Sequence, residues 1–313
     1  MARKLRVEYP GALYHVMNRG DHRKRIFWDD RDRECFVETF GEACGKAGWQ
    51  VHAYCLMPNH FHLVVETPQG NLVAGMKWLL GTYTGRFNRR HKLCGHLFSG
   101  RYKSLVVDGS GTGYLKTVCD YVHLNPVRAK LIGPEQKLAG YRWSSYPAYL
   151  WPARRRPKWL RVDRLLGEYR VPKDSSAGRR HFAEIAEARR QSERGPCPEF
   201  KAVRRGWFLG DRAFRKELLV QMGERRGANH YGEECYELAE AKAERIVAEE
   251  LRRRGWSEAD LLERAKGDKE KVAMAARLRR ETTMTFKWAA ERLAMGSWSH
   301  VSNLLAAARK KAR

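Results

Sequence analysis

The chain has 313 residues, 43% of them hydrophobic, which is enough for about two domains with cores of their own. Lysine and arginine number 61 against 36 aspartates and glutamates, a formal net charge of +25 that predicts a polyanionic partner, nucleic acid first among them. No stretch approaches the roughly 18 uninterrupted apolar residues of a membrane span, and the charged start Met1-Ala2-Arg3-Lys4-Leu5-Arg6 is followed by no apolar run of the secretory kind.

Residues 12–17 are β-prone and end at Asn18-Arg19-Gly20, a turn signal. A helix is predicted over 29–47, where Cys35, Phe36, Phe40 and Cys44 recur at helical spacing and Gly45 and Gly48 mark the end. Strands follow over 49–57 and 60–66, separated by Pro58-Asn59. Leu72, Met76, Leu79, Leu80 and Tyr83 predict a helix over 72–88, and 103–108 reads as a short fourth strand. Gly109, Gly111 and Gly113 then lead into a helix over 114–125, which Pro126 stops because proline lacks an N–H and clashes with the preceding turn. The glycine turn suits either a phosphate cradle or a sharp change of direction. The order βαββαβ predicts a ferredoxin-like α+β domain over residues 1–150.

Residues 151–232 read as a basic linker and helical region of unassigned role. Arg154-Arg155-Arg156-Pro157-Lys158 fits a solvated linker or a phosphate-facing patch, and Gly195-Pro196-Cys197-Pro198 marks a loop. Residues 233–313 read as an all-α domain. It has a long charged helix over 233–253, a helix capped by Ser257 and a third over 269–280. Two short helices end the chain. Thr285 caps the first, with Phe286, Ala289, Ala290 and Leu293 as its apolar stripe; Met295-Gly296 makes the turn; the second carries Val301, Leu304, Leu305 and Ala308 on one face. This pattern predicts a helix-turn-helix. The seven cysteines are odd in number and form no CxxC pair, which predicts reduced thiols and a cytoplasmic protein.

Two features carry chemistry. His60-Phe61-His62 lies on a predicted strand, so both imidazoles point to one face, about 6.5 Å apart, while Phe61 points to the core. Such a pair holds a metal ion or simply hydrogen-bonds to water. Tyr121 and Asn125 stand four apart on a predicted helix and so share a face. An amide oxygen suits a hard divalent ion, and a tyrosine beside a bound phosphate can act as a covalent nucleophile. The plain alternatives are a packed ring and a helix cap.

Taken together, five segments resemble the REP-associated tyrosine transposases, a branch of the single-tyrosine HUH transposases, over about residues 9–143. They are Tyr14-His15-Val16-Met17-Asn18-Arg19-Gly20, Met57-Pro58-Asn59-His60-Phe61-His62-Leu63-Val64-Val65, Arg101-Tyr102-Lys103-Ser104, Tyr121-Val122-His123-Leu124-Asn125-Pro126-Val127-Arg128-Ala129 and Tyr141-Arg142-Trp143-Ser144-Ser145-Tyr146. The resemblance implies strand transfer on single-stranded DNA near hairpins. It implies His60 and His62 as ligands of Mg²⁺ or Mn²⁺, Tyr121 as the nucleophile that forms a 5′-phosphotyrosine, and Asn125 as a third ligand where members often carry Gln. The segment Ala276-Arg277-Leu278-Arg279-Arg280 with residues 285–305 is similar to the helix-turn-helix domain of bacterial replication initiators. That likeness implies duplex DNA as a second partner, with Ser297, Ser299, His300, Ser302 and Asn303 heading the recognition helix.

Arg19, Arg86, Arg89, Arg101, Lys103 and Arg128 lie near the expected site in chain order and are candidates for the DNA backbone. Tyr102 either stacks on an unpaired base or packs in the core. The chain is expected to work as a monomer or a homodimer, away from membranes. A non-catalytic DNA-binding protein or repressor on the same fold competes with the enzyme reading, since charge and helix-turn-helix fit both; it has no need of His60, His62 and Tyr121. An RNA-binding module and a zinc enzyme using Cys55 rank below both.

Overall fold

The computed structural model describes residues 7–193, 198–224 and 233–311. The chain runs through β1 (Ala12–Arg19), α1 (Asp30–Ala47), β2 (Gln50–Met57), β3 (His60–Thr67), α2 (Leu72–His91) and β4 (Lys103–Val107). The strands lie in the order β2-β3-β1-β4 with neighbouring pairs antiparallel, the ferredoxin-like α+β arrangement. Local chemistry sets the ends of α1. The Asp29 carboxylate accepts the Asp32 N–H at 3.0 Å, and Gly48 closes the helix at φ 68°, a left-handed conformation open to glycine. β1 takes in the first two residues of the turn signal, because Asn18 and Arg19 pair with Phe61 and His60.

Beyond β4 come α3 (Tyr114–His123), α4 (Asn125–Arg128), α5 (Tyr146–Tyr149), α6 (Asp163–Glu168), α7 (Ser176–Ser192) and α8 (Lys201–Arg205). They are followed by β5 (Phe208–Leu209) and α9 (Arg212–Glu224). The helix predicted over 114–125 is divided. The Leu124 N–H still bonds to the Asp120 carbonyl at 2.9 Å, and α4 then begins a separate turn. Pro126 does not stop α3; it lies in the first turn of α4, where its missing N–H is harmless. β5, which no sequence pattern announced, pairs in parallel with β4 and extends the sheet.

Side-chain alternation gives the sheet two different faces. Phe61 points to the layer of α1 and α2, with ring centroids 5.0 Å from Phe36 and 5.9 Å from Phe98; Tyr83 of α2 lies 5.0 Å from Phe36. The other face is covered by α3. Val118, Cys119 and Val122 are buried there together with Tyr146, Tyr149, Leu165, Tyr169 and Phe182, so the first core draws residues from beyond 150. The basic run 154–158 is partly structural. The Arg156 guanidinium bonds to the Ala148 and Tyr149 carbonyls at 2.9 and 3.1 Å and pairs with Asp174. The loop expected over Gly195-Pro196-Cys197 lies outside the described residues.

The C-terminal region is helical: α10 (Glu233–Arg254), α11 (Glu258–Glu263), α12 (Lys269–Glu281), α13 (Phe286–Arg292) and α14 (Trp298–Lys311). Ser257 and Asp260 form a reciprocal capping box, and the Thr285 hydroxyl accepts the Trp288 N–H at 3.1 Å. The helices close over their own core, with Leu278, Ala290, Leu293, Met295, Val301 and Leu305 at its centre. Lys271 is wholly buried in it. Its ammonium donates to the carbonyls of Leu261 at 2.6 Å and Arg264 at 2.9 Å, at the end of α11 and just beyond it. Lys271→Met is expected to leave those carbonyls unpaired and cost about 1–3 kcal/mol, read as a lowered denaturation midpoint of the intact chain.

The helical region rests on the α1–α2 layer. The Lys46 ammonium, at the end of α1, donates to the Arg279 and Arg280 carbonyls of α12, while Lys242 of α10 donates to the Lys46 carbonyl at 3.2 Å. Among the described residues no helix is long and apolar enough to cross a membrane.

Candidate active site

Register brings the site together. Arg19 of β1 lies opposite His60 of β3, and Met17 opposite His62. Directly opposed residues share a face, so Arg19, Met17 and His15 point the same way as the two histidines, away from Phe61. α3 crosses this face and presents Tyr121. Its ring stands edge-on to His62 and to His15, with centroids 5.7 and 5.6 Å apart. The His60 and His62 rings are 5.0 Å apart.

Hydrogen bonds decide which ring nitrogens are available. His60 Nδ1 is 2.7 Å from Asn59 Oδ1, while the Asn59 amide nitrogen donates to the Arg23 carbonyl at 3.0 Å. An amide oxygen only accepts, so His60 carries its proton on Nδ1 and keeps a lone pair on Nε2. His62 Nδ1 lies 2.9 Å from His15 Nε2. Burial pushes His15 down to about 4; burial and the Arg19 charge push His60 down to about 4. Burial, with the neighbouring imidazoles, holds His62 well below the usual histidine range. All three are therefore neutral at pH 7, the form in which imidazole binds a metal.

Two neutral imidazoles on one face, each with Nδ1 engaged by a neighbour, suit a divalent cation bound through Nε2. Among the described residues no three His, Cys, Asp or Glu side chains gather as a metal site. Asn125 is buried, and its amide nitrogen has no hydrogen-bond partner among the described residues. It begins α4 rather than continuing α3, so its relation to Tyr121 is set by the break at Leu124 and not by one helical face.

Cations ring Tyr121. The Arg128 guanidinium lies 4.8 Å from the centre of its ring and donates to its carbonyl at 2.9 Å. Burial raises the phenol's pKa, and the charges of Arg128, Arg204 and Arg19 oppose that rise. Phe200 packs beside both, 5.6 Å from the Tyr121 ring and 4.2 Å from the Arg128 guanidinium. Glu193 pairs with Arg128 at 3.1 Å. The Arg19 Nε is buried without a hydrogen-bond partner among the described residues.

The remaining candidates fall in different places. Lys103 is exposed and lies opposite Met17, on the histidine face; Arg101 is exposed in the loop before β4. Arg86 and Arg89 do not join the site. α2 lies on the Phe61 side of the sheet, where Arg86 is held by Thr39 and Glu42, both at 2.7 Å; nearness in the chain misled because strand alternation sends α2 to the opposite face. Tyr102 is 7% exposed and belongs to the core, which leaves no open ring for a base. Just before α14, the Ser297 hydroxyl accepts the His300 N–H at 3.2 Å. Ser299, His300 and Asn303 are exposed and Ser302 is half-buried. Trp298, which the sequence did not single out, is 59% exposed beside them.

His15, Phe200 and Arg204 were also unforeseen. A histidine inside an apolar strand run was a usable signal for His15. Nothing local marked the other two, which reach Tyr121 from about 80 residues further along the chain.

The ferredoxin-like sheet thus carries a histidine pair and a helical tyrosine on one face, on a strongly basic chain. Residues 9–125, a little over a third of the chain, match the family described as "Transposase IS200 like". A solved structure described as "Structure of the REP associates tyrosine transposase bound to a REP hairpin" is similar, with a TM-score of 0.40 and 14% identity over 49% of this chain and 89% of that one. No curated protein matches the chain.

Proposed function

We propose that the chain cleaves and rejoins single-stranded DNA with Tyr121 as the nucleophile, at hairpin-forming repeats. The observation that carries this reading is the Tyr121 ring set against His62 and His15 on the face that also bears His60. The phenolic oxygen forms a bond to phosphorus as the bond to the 3′ oxygen breaks. The phenol loses its proton to solvent and the leaving 3′ oxygen gains one, giving a 5′-phosphotyrosine and a free 3′-OH. A later 3′-OH reverses the step without ATP.

His60, His62 and Asn125 would hold Mg²⁺ or Mn²⁺. When bound, such an ion polarises a non-bridging phosphate oxygen. Arg19, Arg128 and Arg204 supply positive charge around the phosphate, and Lys103 and Arg101 continue it along the strand; Arg86, Arg89 and Tyr102 are left out of this assignment. For Arg128 to serve, a phosphate must replace the Glu193 carboxylate. Arg128→Ala is expected to weaken single-stranded DNA binding whatever the sequence and to reduce the slope of log K against log salt by about 1. An unchanged slope would leave Arg128 as a structural partner of Glu193 only.

The helical region from 233 onward would hold duplex DNA through the exposed head of α14, and the segment 151–232 would serve the first domain. A cytoplasmic monomer or homodimer fits this use. The test is covalent trapping. A labelled hairpin oligonucleotide with Mn²⁺ is expected to yield a protein–DNA adduct on denaturing gels, mapped by peptide mass to residue 121. Cut DNA with no adduct points to direct hydrolysis and ends the proposal; neither cutting nor adduct, with tight duplex binding, favours the repressor reading.

A further inference from the structure

We propose that His15 is a positioning residue: its Nε2 accepts the Nδ1 proton of His62 and so presents His62 Nε2 as the donor to a divalent cation. This rests on the reading of His60 and His62 as metal ligands.

The geometry restricts the choices. His15 Nε2 and His62 Nδ1 are 2.9 Å apart and share one proton. If the proton sat on His15, His62 would be protonated on Nε2, and the nitrogen left free of protein partners could not bind a cation. If it sits on His62 Nδ1, Nε2 keeps its lone pair. His60 reaches the same tautomer with a different acceptor, the Asn59 amide oxygen. The two histidines are thus supported from opposite sides, one by an amide and one by an imidazole.

Packing holds the second support in place. The His15 and His62 rings meet edge to edge through these nitrogens, with centroids 5.1 Å apart and planes 15° apart, and both residues are buried. They lie on neighbouring strands, one step diagonal in register, since Met17 and not His15 is directly opposite His62. His15 also touches the Tyr121 ring edge-on. One side chain on β1 therefore fixes both the orientation of a ligand on β3 and the wall against which the tyrosine of α3 rests. A hydrogen-bonding neighbour of a metal-bound histidine sets its tautomer and ring angle, and losing one costs about 10–100-fold in affinity.

Three forms of the full chain test this. His15→Phe keeps a buried aromatic ring and removes the acceptor; His15→Gln restores an acceptor oxygen at similar reach. Calorimetric titration with Mn²⁺ in the absence of DNA is expected to show about 10–100-fold weaker binding for His15→Phe and substantial recovery for His15→Gln, with circular dichroism confirming that both fold. Long-range ¹H–¹⁵N spectra of the wild type are expected to place the His62 proton on Nδ1. If His15→Phe binds Mn²⁺ as the wild type does, or the His62 proton is on Nε2, His15 has no such role. A wild type that binds no Mn²⁺ overturns the metal-ligand reading together with this one, so the two failures are distinguishable.

Discussion

Tyr121→Phe is expected to abolish the covalent adduct and cut strand cleavage by at least about four orders of magnitude, the scale seen when a covalent nucleophile is removed. The ring keeps its contacts with His15, His62, Phe200 and the Arg128 guanidinium. The hydroxyl makes no hydrogen bond among the described residues, so its loss leaves no buried partner unsatisfied. Folding and DNA affinity should therefore match the wild type, as thermal melting and fluorescence anisotropy with the same oligonucleotide would show. Residual cutting at the wild-type rate would move the nucleophile elsewhere, and a lost affinity would mean that the hydroxyl binds DNA rather than attacks it.

The second large effect separates two adjacent residues of β3. His60→Ala is expected to lower Mn²⁺ affinity and cleavage by about 100-fold or more, since a direct ligand should matter at least as much as its hydrogen-bonding neighbours. It should change stability little, because His60 is at the half-exposed end of the strand. Phe61→Ala is expected to do the reverse. Its ring is wholly buried among Phe36 and Phe98, and truncation of such a side chain costs about 3–5 kcal/mol. Denaturation of the two variants, with Mn²⁺ titration of each at a temperature where it is folded, checks both halves. A Phe61→Ala chain that melts like the wild type would contradict the face assignment on which the site rests.

The ferredoxin-like order was legible because each element carried its own signal. Periodicity marked α1 and α2, and Pro58-Asn59 separated β2 from β3. His60 and His62 were legible for the same reason, since a two-residue spacing on one strand needs no tertiary information to put two rings on one face. His15 was marked only as a histidine within an apolar run; its place beside His62 was not legible, because it comes from the pairing register of β1 with β3. Phe200 and Arg204 depend on where a distant segment packs, and β5 has two residues, too few for any period to show. The misplacement of Arg86 has the converse cause: it is near in the chain, and a sheet stands between it and Tyr121.

That same sheet bears on how DNA can be handled. The helical region is fastened to α1 through Lys46 on the Phe61 side, while Tyr121 stands on the histidine side. If α14 holds a duplex as proposed, that duplex and a strand at Tyr121 would lie on opposite sides of the sheet. One DNA molecule held at both places must bend round an edge of the sheet, whereas two separate molecules need no bend. Under that arrangement the minimum length of DNA between the gripped duplex and the cut is set by the outer contour of the domain, and shortening an oligonucleotide below it should force the chain to choose one grip or the other.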